Sequence, residues 1–156
     1  MGERKIVRSE KLYTREDVEK DPTSMYIFTD NTDRDSGKTE IPEDSWYSKE
    51  YGPGKHYPKV TSAVIRGLEN AYPITTQRWY NKTNRGVNGR WWDSDFEEFK
   101  KVIDHDLSLI LRDQDKYTQI VFPPGGIFNS RISCISQERV PKLYEYLMTK
   151  LKTLLL

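Results

Sequence analysis

Apolar positions fall into short clusters separated by long polar stretches. Met25, Tyr26, Ile27 and Phe28 form an unbroken apolar run that ends in Thr29-Asp30-Asn31. A run of that length, closed by a turn signal, predicts a buried central strand. Tyr72-Pro73-Ile74-Thr75-Thr76 predicts a second strand, with Pro73 near its start. Residues 117–122, YTQIVF, predict a third, which stops at Pro123-Pro124-Gly125-Gly126.

Between the second and third strands the period becomes helical. Phe96, Phe99, Ile103, Leu107, Ile110 and Leu111 recur with the i, i+3, i+4 rhythm of one helix face. Ser94-Asp95-Phe96-Glu97 reads as the capping box that opens this helix. A last helix carries Pro141 in its first turn and Leu143, Leu147, Leu151 and Leu154 on one face. Thr14-Arg15-Glu16-Asp17 resembles a capping box, with Asp in the Glu position, that opens a short helix ending before Asp21-Pro22, and short helices are predicted over 45–51 and over 60–68. Strands alternating with helices give an α/β class, with a mixed or partly parallel, Rossmann-like sheet flanked by helices. Residues 1–24 read as an N-terminal lead-in. Residues 25–156 read as a single domain with a long polar insert at 38–59.

In such sheets ligands bind beyond the carboxyl ends of the strands. The loops at 30–38, 76–78 and 123–129 come after the three strands and are expected to converge on one site. Within them, Asp30 and Asn31 can grip ribose hydroxyls or a base edge, and Arg34 can pair a phosphate in bidentate fashion. An Asx-turn with a surface ion pair accounts for the same residues. Gly125 and Gly126 allow close backbone approach to a ligand, and their N–H groups can cradle phosphate; Asn129, Ser130 and Arg131 come next. Thr75, near the end of the middle strand, is a further candidate to touch the ligand. As catalytic groups, Asp30 and Asp33 are the candidates for a general acid or base, and the sequence shows no committed pair. Ser36-Gly37-Lys38-Thr39 resembles the end of a P-loop, but Thr32 stands where its first glycine belongs.

Residues 78–92 interleave Arg78, Lys82, Arg85 and Arg90 with Trp79, Tyr80, Trp91 and Trp92. Such a loop suits stacking on a nucleobase through Trp79 or Trp91, or binding of a single strand. A solvated hairpin that tucks its tryptophans into the core has the same composition. Asp104-His105-Asp106 diverge around a helix and read as a solvated face.

Composition narrows the classes. Lys and Arg number 25 against 24 Asp and Glu, so nucleic acid is the weaker partner expectation. One cysteine, Cys134, excludes an intrachain disulfide, and two histidines exclude a three-His zinc site; no metal or cofactor is called for. The start lacks a signal-peptide core and no apolar run is long enough for a membrane span, which implies a cytoplasmic protein with no membrane partner.

The runs YIFTDNTDR, AVIRGLENAYPITT, IVFPPGGI and RVPKLYEYL resemble a poorly characterised family of small phage and bacterial α/β proteins that look distantly like macrodomains. The matching positions are Asp30, Asn31, Arg34, Asn70, Ala71, Ile74, Thr75, Pro123, Gly126 and Ile127, spread over most of residues 25–148. Thr29 stands where family members commonly carry glycine. The resemblance implies a macrodomain-like fold and a nucleotide-like small molecule as ligand, ADP-ribose or another phosphate-bearing signalling nucleotide. It also suggests a phage anti-defence factor that sequesters its ligand, with a host defence protein as a further partner. A hydrolase acting on a nucleotide or ADP-ribosyl linkage, and a protein-interaction or single-strand module using residues 78–92, are the alternatives.

Overall fold

Among the described residues, four strands form one sheet in the order β1-β4-β2-β3, and every neighbouring pair is parallel. They are β1 (Lys5–Arg8), β2 (Ser24–Asn31), β3 (Ala71–Gln77) and β4 (Gln119–Phe122). The helices are α1 (Arg15–Glu19), α2 (Phe96–Asp113) and α3 (Pro141–Leu155), with 3-10 turns at Ser62–Ile65, Asp93–Asp95 and Gln114–Lys116. The computed structural model describes residues 5–31, 62–65, 67–77, 91–124, 127 and 135–155. The helix expected over 45–51 and the Ser36-Gly37-Lys38-Thr39 run lie outside them.

The central strands are apolar because both faces of the sheet are covered. On one face Met25, Ile27, Ile74 and Ile120 pack under α2 and α3. On the other, Tyr26, Phe28 and Val121 meet α1 and the turn at Ser62–Ile65. Each such side chain contributes roughly 1.5–3 kcal/mol through burial. The unbroken run Met25-Tyr26-Ile27-Phe28 is thus two alternating sets, each with its own core.

The α/β class expected from the sequence is observed, and among the described residues the sheet is parallel throughout. Within the stretch read as a lead-in, residues 5–8 form β1, and Tyr13 and Val18 are buried in the second core cluster. Lys5-Ile6-Val7-Arg8 is short and half charged, and β1 is a strand only because β4 supplies its ladder. The Thr14 capping box does form. Its hydroxyl accepts the Asp17 N–H at 3.1 Å, and the Asp17 carboxylate accepts the Thr14 N–H at 2.9 Å.

The Ser94 box is displaced. Asp95 accepts the Trp92 N–H at 2.9 Å, so the chain turns through Asp93–Asp95 before α2 begins at Phe96. The apolar face of α2 is also rotated from its expected position. Leu111 is 53% exposed, whereas Asp106 and Asp113 are buried on the face shared by Ile103 and Ile110.

Within the stretch read as a helix over 60–68, Ser62–Ile65 form a 3-10 turn, and Gly67 stands at φ 92°. A side chain there would clash in the left-handed region, so glycine fits the position. Asn70 comes next and is buried. Its amide donates to the carbonyls of Val18 at 3.1 Å, Asp21 at 3.0 Å and Ser24 at 3.0 Å. One side chain therefore ties the end of α1 and the start of β2 to the start of β3.

Candidate functional site

Because all four strands are parallel, their carboxyl ends lie along one edge of the sheet. The loops expected to converge all leave from that edge. β2 and β4 are neighbours, yet they feed opposite faces. The chain from β2 runs to the turn at Ser62–Ile65 on the α1 face, and the chain from β4 runs to α3 on the other. In α/β sheets the carboxyl ends of adjacent parallel strands whose continuations diverge are where ligands bind.

Asp30 stands at this edge. It is 5% exposed, and its register partner on β3 is Thr75, also buried. Paired residues of a parallel ladder point to the same face, so the two side chains are cross-strand neighbours on the α1 side. The ladder slips between Asp30 and Asn31, where Thr75 pairs Asp30 and Gln77 pairs Asn31. The Thr75 hydroxyl is enclosed and has no hydrogen-bond partner among the described residues.

The backbone of Thr75 is held from the outside. β3 is an edge strand, and its ladder to β2 leaves the N–H and C=O of Thr75 facing away from the sheet. Asp106 of α2 accepts that N–H at 2.8 Å, and the Trp91 indole donates to that carbonyl at 3.2 Å. Trp91, expected to stack on a base, is wholly buried and meets Phe99 edge-to-face at 5.5 Å between ring centroids. It is a core residue, and its polar end caps the sheet edge. Asp106 is likewise no part of a solvated face. Within the Asp104-His105-Asp106 run, only His105 is exposed, and Asp104 accepts the Tyr146 hydroxyl.

Asn31 ends β2. Of the Pro-rich loop after β4, Pro123 and Ile127 are buried anchors. Asp33, Arg34, Trp79, Gly125, Gly126, Asn129 and Arg131 lie outside the described residues.

Two carboxylates with no place in the sequence-based site complete the frame. Asp93 accepts the N–H groups of Lys142 at 3.3 Å and Leu143 at 3.2 Å, so the positive end of α3 already carries an anion. At the opposite, amino edge of the sheet, buried Asp113 accepts the Tyr72 hydroxyl at 2.7 Å and two nitrogens of Arg112 at 2.8 Å. Lys116 approaches it at 3.2 Å. These donors, Arg112 first, hold the Asp113 carboxyl well below the usual carboxylate range. Burial, aided by Tyr117 and Asp113, pushes the Tyr72 phenol far above its ordinary value. Asp106 and Asp113 had a signal in the sequence, since both fall at core spacing from Ile103 and Ile110. Among the described residues, no helix is long and apolar enough to cross a membrane.

No curated protein and no solved structure matches the chain. A family model does match it, over residues 8–150, from the β1 edge strand through most of α3. The chain therefore belongs to the family of unknown function DUF7831.

Proposed function

We propose that the protein binds a phosphate-bearing nucleotide, of the ADP-ribose class, beyond the carboxyl ends of β2 and β4. The observation that carries this reading is the divergence of these two neighbouring strands, with buried Asp30 at the end of β2. A carboxylate in that position is suited to accept the paired hydroxyls of a ribose. Thr75 adds a hydroxyl on the same face. In the sequence, Arg34 follows β2 and Gly125-Gly126 follow β4, and the chemistry of these residue types suits phosphate. The macrodomain likeness of the sequence motifs favours ADP-ribose within that class. A cytoplasmic anti-defence protein that sequesters such a signal is the setting in which this chemistry is useful.

Mass spectrometry of small molecules released from the denatured protein tests the ligand class directly. Titration calorimetry with ADP-ribose tests affinity. The reading expects a released nucleotide or a saturable heat, lost in a folded Asp30→Ala variant. A folded protein that releases no nucleotide and gives no heat with ADP-ribose overturns it.

A further inference from the structure

We propose that the outer edge of β1 is a strand-addition site for an extended, acidic segment of another protein. The two edges of the sheet are finished differently. At β3 the outward positions are closed: Pro73 has no N–H to offer, and Thr75 is capped by Asp106 and Trp91. At β1, no strand among the described residues pairs with the outer side.

The backbone there is set for pairing. Lys5 donates to the Thr118 carbonyl and Ser9 to the Phe122 carbonyl, at 3.5 and 2.9 Å. In a parallel ladder, inward bonds fall on alternate residues. Lys5, Val7 and Ser9 therefore face β4, and the N–H and C=O groups of Ile6 and Arg8 face outward. Ile6 also leaves 43% of its surface exposed, an apolar contact beside these polar groups. Main-chain bonds of this kind give affinity in strand addition, and the flanking side chains give selectivity.

Charge selects the partner. Lys5 and Arg8 are exposed and make no ion pair among the described residues. A second copy pairing through β1 would gather two Lys5 and two Arg8 side chains on one short ribbon that holds no carboxylate. Like charges across a strand pair are destabilising, and opposite ones are stabilising. An extended segment with Asp or Glu facing Lys5 and Arg8 fits where a second copy is repelled.

The test uses the full chain and a short, soluble fluorescein-labelled peptide that alternates Val and Thr between terminal glutamates. A version with terminal lysines is the control. Fluorescence anisotropy should show binding of the glutamate peptide alone, weakening with salt. Ile6→Pro removes an outward N–H while leaving the inward ladder, and should cost roughly tenfold or more in affinity. The double variant Lys5→Glu, Arg8→Glu keeps the backbone and should reverse the preference toward the lysine peptide. No binding of the glutamate peptide at millimolar concentration overturns the proposal. So does undiminished binding by folded Ile6→Pro, or an unchanged preference in the charge-reversed variant. Sedimentation showing a dimer that Ile6→Pro dissolves would make a second copy the occupant and would likewise overturn it.

Discussion

The Asp106 carboxylate accepts the backbone N–H of Thr75 at 2.8 Å, joining the middle of α2 to the outer edge of β3. Both residues are buried, so water cannot replace the bond if it is lost. Leaving a buried N–H unsatisfied costs about 1–3 kcal/mol. Asp106→Ala should lower stability by that amount, and Asp106→Asn, whose amide oxygen can still accept, should lose less. Thermal melting by circular dichroism separates the two. A melt of Asp106→Ala indistinguishable from the parent would show that the bond does not secure the edge.

Asn70 leads to a prediction with a pH signature. Its amide is a donor facing three carbonyls. Asn70→Asp replaces that donor with an ionised acceptor at neutral pH, which sets negative charge against carbonyl oxygens. It should cost more than Asn70→Ala, whose loss should fall in the range of about 1–3 kcal/mol. Protonation restores one donor to the aspartate, so the gap between the variants should narrow as pH falls toward about 4. Urea midpoints at neutral and acid pH measure both effects.

Asp113 predicts acid sensitivity. Its carboxyl titrates lower in the folded chain than in the unfolded one, because Arg112, Tyr72 and Lys116 stabilise the anion. For a depressed carboxylate, the unfolded state binds the proton first. The stabilisation is complete above the unfolded value of about 4 and is lost progressively as pH falls below it. Asp113→Asn should therefore be less stable than the parent at neutral pH, and the difference should shrink in acid. Denaturation curves collected across that range test the sign. A gap that widens as pH falls would contradict it.

Period and turn chemistry carried much of the architecture into the sequence. Residues 25–29 and 72–76 sit inside the observed β2 and β3, and Pro141 does open the last helix. What stayed hidden was decided by partners far along the chain. β1 has too little apolar content to declare itself and exists through β4. The α2 face looked as if it ran through Leu111, because a carboxylate at a core spacing reads as a break in the pattern. Asp106 and Asp113 occupy that face because each finds fixed donors, on Thr75 in one case and on Tyr72 and Arg112 in the other. At the candidate site, the strand-end position of Asp30 was legible from the apolar run before it. The enclosure of Trp91 was not, since a tryptophan in a basic loop has the same local sequence whether it faces a base or the core.

Asp93 and the start of α3 give the last prediction. The first N–H groups of a helix have no partner within it, and Val140, the residue before α3, has no side-chain acceptor to cap them. Asp93 supplies one from the chain before α2, bonding Lys142 N–H at 3.3 Å and Leu143 N–H at 3.2 Å. A carboxylate at this end also interacts favourably with the positive end of the helix dipole. Asp93→Ala removes both effects and should cost about 0.5–2 kcal/mol, and Asp93→Asn, which keeps an acceptor, should recover most of it. Because the cap also ties α3 to the turn before α2, its loss should be felt locally first. Hydrogen exchange should quicken at Lys142 and Leu143 in Asp93→Ala while the amides of β2 keep their protection. Exchange that quickens uniformly through the sheet would mean that Asp93 supports the whole fold rather than the entry to one helix.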